Sequence, residues 1–430
     1  MKIGIIGGGG VRTPLLVSGL SRSDLPIAEI VLYDVDATRL SLLGPLAERL
    51  SARGRLRTTA RIEDCVEGAD FVITSIRPGG IETRARQEAA ALALGVVGQE
   101  TVGPVGFAMA LRTVPAMIGY AREVERRAAR AWIVSLTNPV GIVTQAVTAH
   151  TGARILGICD TPSELFEETA HALELPSVEC RFDYFGLNHL GWLREVYHRG
   201  RPQLDRLWQD PERLLRVYRA PLFEPEWLRA LRLLPTEYVY YYVRPDRALE
   251  NLRRAGSGRG AAIARLNSGL FESLASGPPD PVGVYRDYLA ARDASYMQAE
   301  SGATGPRRPP AWSELVGYDK IALSVLRAIH GHRGDVIPLD VPNRGNLPEL
   351  REDDVVEVPC LVNANGALPL HVGKVPEAVR PLLVQVKEYE RLTVEAAVTG
   401  SRETARRALA RNPLVGEEGL AGRLIEAMGV

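Results

Sequence analysis

Five short runs of β-branched and other apolar residues recur through the first part of the chain, and each ends in a turn signal. They are KIGIIG (2–7), EIVLYDV (29–35), FVITSI (71–76), WIVSLT (132–137) and ILGIC (155–159). Runs this short and this continuously apolar read as parallel strands buried on both faces. Helical patterns such as RTPLLVSGLS and SLLGPLAERLSARG separate them, the longest from about Phe107 to Arg130. Strand–helix alternation of this kind predicts βαβ units and a doubly wound α/β sheet.

From about Cys159 onward the pattern changes. RFDYFGLNHLGWLREVYH (181–198) alternates as antiparallel β, and helices are expected near 203–218, 259–276 and 315–331. DDVVEVPCLVNANGALPLHVG (353–373) reads as a β ribbon with an Asn-Gly turn signal, before a final helical stretch from about Pro376 to Met428. ASGPPDPVG (275–283) and SGATGPRRPP (301–310) read as loops. The change predicts two domains, 1–165 and 166–430, and the 430 residues suffice for both.

Composition removes several function classes. Lys plus Arg and Asp plus Glu are each 52, a formal net charge of +0, which argues against nucleic acid or an anionic membrane as main partner. The cysteines Cys65, Cys159, Cys180 and Cys360 are too few and too scattered for a disulfide framework and form no CxxC. MKIGIIGGGG begins without the charged region and cleavage site of a signal peptide, and no apolar run approaches the roughly 20 residues of a membrane helix. The expected location is a reducing cytoplasm.

The first strand runs into Gly7, Gly8, Gly9 and Gly10, just before a helix. Glycines there permit a tight turn and a close backbone approach to a pyrophosphate, which the helix N-terminus then faces. Arg12 stands where the third glycine of a GxGxxG frame would fall, so the fingerprint is incomplete. The second strand ends at Asp34, whose carboxylate suits adenosine ribose hydroxyls and repels a 2′-phosphate, favouring NAD over NADP. Asp36, two residues on, is expected to be solvated. A glycine-rich turn without nucleotide is the bland alternative.

Ligands bind beyond the carboxyl ends of strands in open α/β sheets. Those ends are polar here: Ser75 and Arg77 before PGG, Asn138 in TNP, then Cys159 and Asp160. Each alone has an ordinary structural reading; together they outline a site. His189 in GLNHLGW follows Cys159 by 30 positions (189 − 159). Thiolate plus imidazole suits a divalent transition metal, although spacing alone equally fits a packed core histidine. PTEYVYYYV (235–243) carries four tyrosines, most simply an aromatic packing stripe.

Taken together, IGGGGVRTP, SIRPGGIETRARQE, GVVGQETVGPVGFAMALRT, TNPVGIVTQA, GICDTP, GLNHLGW, PTEYVYYY, VEVPCLV, ERLTVEAAVTGS and ALARNPLV resemble glycoside hydrolase family 4 over nearly the whole chain. GQETVGP looks most like its 6-phospho-β-glucosidase branch. The resemblance implies an NAD-binding Rossmann domain followed by a lactate/malate dehydrogenase-like α+β domain. It implies a glycosidase using NAD and a divalent metal, Mn2+ being expected, outside the usual two-carboxylate scheme. Hydride leaves C3 of the sugar, the C2 proton becomes acidic, the aglycone is eliminated, water adds, and the hydride returns. Cys159 and His189 then match the metal ligands, and Tyr238 the C2 base. Asn138 matches a residue touching sugar and cofactor, and Arg77 lies on the cofactor side with the glycine turn and Asp34. Arg84, Asn138, Asp160 and Arg259 match substrate-side positions, with Glu100 nearby. Tyr240, Tyr241 and Tyr242 are assigned to packing. Family members are commonly dimers or tetramers.

Two departures matter. Asp160 stands where β-active members typically carry asparagine and 6-phospho-α-glucosidases carry aspartate acting as acid. It reads as a general acid, a sugar ligand, or a cap of the helix beginning at TPSELFEE. RQEAAALALG carries Gln87 and alanines where the family usually has Asp-Glu and a polar residue, which weakens phosphate binding there. The rivals to a 6-phospho-β-glucosidase are an α-glycosidase or a glycosidase of unphosphorylated sugars in the same family. Outside it stand an NAD-dependent 2-hydroxyacid dehydrogenase and a non-catalytic NAD-binding sensor.

Overall fold

A computed structural model of the protein describes residues 1–52, 54–218, 220, 222–302 and 318–430. Six parallel strands form its first half: β1 (Lys2–Ile6), β2 (Glu29–Tyr33), β3 (Arg55–Thr59), β4 (Phe71–Thr74), β5 (Trp132–Ser135) and β6 (Arg154–Gly157). A second, four-stranded sheet follows: β7 (Cys180–Leu187), β8 (Leu190–His198), β9 (Arg201–Pro202) and β10 (Leu234–Pro235). Then β11 (Asp335–Pro342), β12 (Val355–Asn363) and β13 (Gly366–Pro369) return to the first sheet. Its nine strands run β13-β12-β11-β6-β5-β4-β1-β2-β3. The order of β3 to β6 is that of a dinucleotide-binding sheet.

The apolar runs became strands because helices cover both faces. Ile3, Ile5, Val31, Leu32, Val72, Ile73 and Val134 are all buried. The longest helix, Pro104–Arg127, packs against Val140–His150 and the late helix Arg380–Thr399. The chain therefore closes on itself: β11 meets β6 in the antiparallel pair Asp340↔Gly157, extending the parallel sheet with C-terminal strands.

Several expectations change in detail. The helix expected over 203–218 is two short ones, Asp205–Trp208 and Pro211–Leu215. Pro211 cannot continue the first, and Asp210 caps the second by accepting from Arg213 N at 3.0 Å. The loop expected over 275–283 ends early, because Asp280 caps a helix Pro281–Ala294 by accepting from Gly283 N at 2.8 Å. The final helical stretch is three helices, Arg380–Thr399, Arg402–Arg411 and Glu418–Met428, the first stopped by Gly400 at φ 69°. The ribbon expected over 353–373 is the β12–β13 hairpin. Asp36 is not merely solvated: it caps helix Ala37–Leu50, accepting from Arg39 N at 2.9 Å. Helix Tyr318–His330 occupies most of the span expected at 315–331, and the loop expected over 301–310 lies outside the described residues from 303 onward.

Candidate active site

The carboxyl ends of β1, β4 and β5 open into a cleft of about 640 Å³ that runs from the glycine turn to His189 and Tyr238. Gly7 at its entrance adopts φ 96°, and a Cβ there would overlap the carbonyl oxygen of Ser75. Only glycine fits the turn. Asp34 braces it, its Oδ2 accepting from Gly9 N at 2.8 Å and its Oδ1 from Asp36 N at 2.9 Å. Gly10 lines the cleft and Gly8 packs on Leu32 behind it. Arg12 takes the N-cap position of helix Thr13–Arg22 and lines the cleft.

Farther in, Asn138 lies at the end of β5, joined to Pro139 by a cis peptide, and its Oδ1 is buried without a hydrogen-bond partner. Arg77 projects from beyond β4 and pairs with Glu100, which also pairs with Arg84. Arg84 is buried, its Nε 2.6 Å from Glu88 Oε1, and reaches the cleft only through Glu100. Burial pushes the Glu100 carboxyl up, but the charges of Arg77 and Arg84 outweigh this and hold it well below the usual carboxylate range. Gln87 faces away: its amide donates to Met428 O at 3.1 Å and accepts from Arg112 at 2.9 Å.

Cys159 and His189 come together as the pairing required. The thiol Sγ lies 3.4 Å from His189 Nε2, and both side chains are buried. Donors binding one ion at roughly 2.0–2.3 Å stand about this far apart, so the pair fits a shared metal. Among the described residues no third His, Cys, Asp or Glu completes a cluster with them. His189 Nδ1 is 2.6 Å from Thr101 Oγ1, leaving Nε2 for a ligand. Burial lowers the imidazole to about 4, so it is neutral at pH 7. Burial, then the charges of Asp160 and Glu357, push the Cys159 thiol up, a cost that a bound cation reverses.

The Tyr238 ring stacks on His189 with centroids 3.9 Å apart and planes at 4°. Its hydroxyl is 3.2 Å from that of Tyr296, which bonds Glu237. Arg259 begins helix Arg259–Ala275, its guanidinium 4.5 Å from the Tyr296 ring centroid and its Nε buried without a partner. Tyr240 and Tyr241 are buried packing residues, their hydroxyls on Glu300 O and Met297 Sδ. Asp160 lines the cleft with Oδ1 3.8 Å from Cys159 Sγ. It occupies the N-cap position of helix Thr161–Ala172, yet its side chain makes no capping bond, so the capping reading fails.

Thr101 and Tyr296 escaped the sequence reading. Thr101 sits inside the GQETVGP segment beside Glu100, but a threonine carries no sign of the imidazole it meets. Tyr296 lies in no motif, and only the fold brings it to Tyr238.

Glycine turn, braced Asp34 and a cleft beyond the strand ends define a Rossmann-type α/β protein with an α+β second half. Its sequence matches the model described as "Family 4 glycosyl hydrolase" over residues 2–175 and "Family 4 glycosyl hydrolase C-terminal domain" over residues 184–415. The chain belongs to family 4 of the glycosyl hydrolases. It is 30% identical over 445 residues to a Bacillus subtilis (strain 168) protein named "Probable 6-phospho-beta-glucosidase", covering 100% of this chain and 95% of that protein. Among solved structures, it resembles the Thermotoga maritima 6-phospho-β-glucosidase with manganese, NAD+ and glucose-6-phosphate at a TM-score of 0.84 and 27% identity, covering 99% of this chain and 98% of that one. A 6-phospho-α-glucosidase from gut microorganisms, in complex with NAD and Mn2+, gives a TM-score of 0.82 at 25% identity, with 99% and 97% covered.

Proposed function

We propose that this chain is a 6-phospho-β-glucosidase working with NAD and a divalent metal such as Mn2+. The observation that carries the proposal is the Cys159–His189 pair, 3.4 Å apart with Tyr238 stacked on the imidazole, at the inner end of a cleft that starts at a dinucleotide-type glycine turn. When bound, NAD would supply a hydride acceptor that can return the hydride, and the metal would supply Lewis acidity for the sugar. The chain's own groups do the remainder. The glycine turn and the start of helix Thr13–Arg22 hold the pyrophosphate, Asp34 the ribose, and Arg77 and Asn138 the inner end of the cofactor. Asn138 offers its unpartnered Oδ1 to a hydroxyl. Cys159 and neutral His189 hold the metal through Sγ and Nε2.

Tyr238 takes the C2 proton. Its unperturbed pKa is about 10, so it needs positive charge nearby, which Arg259 supplies over the adjoining Tyr296 ring. The Tyr296 hydroxyl, 3.2 Å away, is placed to donate to the Tyr238 oxygen and would stabilise it as the tyrosinate. Arg84 positions Glu100, and Arg259 and Asp160 face the sugar. Residues 1–165 would form the NAD-binding domain and bring Cys159 and Asp160 to the site, and 166–430 would complete the substrate and metal site with His189, Tyr238 and Arg259 and carry the oligomer contacts. Among the described residues no helix is long and apolar enough to cross a membrane. We place the protein in the cytoplasm as a homodimer or homotetramer acting on a small sugar phosphate.

The test is hydrolysis of p-nitrophenyl β-D-glucoside 6-phosphate with NAD and Mn2+, repeated with EDTA, without NAD, and with the unphosphorylated glucoside. Activity is expected only in the complete mixture, with a primary isotope effect for deuterium at C2 where proton removal limits the rate. Indifference to both omissions sinks the proposal. Asp160 in the cleft favours a second reading, an α-glycosidase, which faster turnover of the α anomer would establish.

A further inference from the structure

His189 occupies an unusual place for a ligand. The pairs Gly186↔Gly191 and Leu187↔Leu190 leave Asn188 and His189 as a two-residue turn between β7 and β8. His189 adopts φ 63° there, a left-handed conformation for which glycine or asparagine is the ordinary choice. A side chain persists in such a conformation only where its surroundings over-determine it. One set of constraints acts on the imidazole itself: Thr101 at Nδ1 and the stacked Tyr238. A second set acts on the other turn residue. Asn188 Nδ2 donates to Glu357 Oε1 at 3.2 Å, and the opposite carboxylate oxygen, Oε2, accepts from Tyr184 OH at 2.6 Å.

Glu357 lies on β12 and is 1% exposed, so a carboxyl group has been kept in the interior. Burying it is costly unless its oxygens are bonded; the bonds to Asn188 and Tyr184 run to the hairpin that carries His189, and the carboxyl also meets that of buried Asp340, its partner across β11. Tyr184 is fully buried on β7, four residues before Asn188, and fixes the carboxylate's orientation. Glu357 thereby ties the turn to the nine-stranded sheet that also carries Cys159 at the end of β6. The ligand pair is held at its separation from below, through the sheet, as well as from the side, through Thr101.

We infer that Glu357 is a positioning residue that holds the Asn188–His189 turn in the conformation aiming Nε2 at the metal shared with Cys159. The inference rests on the metal reading proposed above. It assigns Glu357 no contact with metal or substrate: its effect passes through Asn188.

The test uses the full chain saturated with NAD, titrated with Mn2+ while free Mn2+ is followed by electron paramagnetic resonance, with NAD affinity and thermal stability measured in parallel. Glu357→Leu, which removes both bonds at similar volume, is expected to weaken Mn2+ binding about 10- to 100-fold, with NAD affinity unchanged. Asn188→Ala on the half-buried turn is expected to do the same, and to carry the test should Glu357→Leu not fold. The double variant should bind Mn2+ no more weakly than the worse single variant, since both cut one path. Glu357→Gln can still accept from Asn188 and donate to Tyr184, so it is expected to stay within about threefold of wild type. A loss with Gln equal to that with Leu would show that charge matters and overturn the inference. So would Leu and Ala variants of lowered stability but unaltered Mn2+ affinity. The control arms are Cys159→Ser and His189→Ala: if neither weakens Mn2+ binding, the metal reading itself fails.

Discussion

Glu100→Gln perturbs the charge chain at the cleft wall with little change of shape. Among the described residues, Glu100 is the one carboxylate that pairs with both Arg77 and Arg84, whose side chains are 29% and 6% exposed, while its own is 14% exposed. Breaking a buried ion pair by neutralising one partner costs about 3–5 kcal/mol, because a cation is left in a poorly solvated place. Arg84 keeps Glu88 at 2.6 Å and Arg77 reaches solvent, so the low end applies, about 3 kcal/mol. Unfolding 430 residues carries an entropy near 0.9 kcal/mol/K at roughly 2.1 cal/mol/K per residue, and the expected drop in Tm is about 3 °C. The pH dependence gives a second readout. Glu100 has a depressed folded-state pKa, so its stabilisation is present above its unfolded value and is lost as pH falls below about 4. Wild type and variant should therefore differ at pH 7 and converge in acid. Calorimetry at both pH values checks this. A variant that melts with wild type at pH 7, or an equal gap at both pH values, refutes the reasoning.

Gly7→Ala forces an L side chain into φ 96° against the Ser75 carbonyl, at a cost of at least about 1–2 kcal/mol. NAD binding by fluorescence titration is expected to weaken about tenfold or more. Asp160→Asn is expected to keep p-nitrophenyl β-glucoside 6-phosphate turnover within about tenfold, while alkyl leaving groups, which need a proton, fall about 10²-fold or more. Equal losses on both would mean the carboxylate does more than acid work. Asp319 is buried at the cleft and burial pushes it up to about 7. A raised carboxyl stabilises the fold fully below its unfolded value near 4, and that stability is lost as pH rises through 7. Asp319→Asn in the NAD-free chain should flatten the fall in Tm between pH 5 and pH 8; an unchanged slope counts against it.

The parallel strands were legible because a strand buried on both faces needs a short continuous apolar run, and each of these ends in a turn signal. β3 was not, since RLRTT is a half-exposed edge strand with arginines at two of five positions. β11 was hidden by prolines: Pro338 lies opposite Pro359 of β12, and proline inside a run ordinarily argues against a strand. Its merger with β6 depends on a single pair across a sequence distance no periodicity encodes. The same limit governs the site. Cys159, His189 and Tyr238 have a chemical reading within their motifs, while Thr101 in GQETVGP, Glu357 in VEVPCLV and Tyr296 outside any motif matter only through what they touch.

Asp160 shows where a local rule yields to the site. Aspartate before a Thr-Pro helix start is a strong capping signal, worth about 1 kcal/mol when the bond forms. Asp36, Asp210 and Asp280 all make that bond in this chain. Asp160 occupies the same position in αR geometry, φ −77° and ψ −24°, which turns its carboxylate away from the helix amides. Its carbonyl still accepts from Glu164 N at 2.8 Å, so the helix begins normally without the side chain. The carboxylate instead faces a cleft shared with Tyr238, His189 and Arg259. A group that forgoes a local bond its three counterparts make is free for the cleft, where its Oδ1 lies 3.8 Å from Cys159 Sγ. The Cys-Asp junction is thus two devices rather than one: a thiol buried toward the imidazole, and a carboxylate turned out toward the cleft.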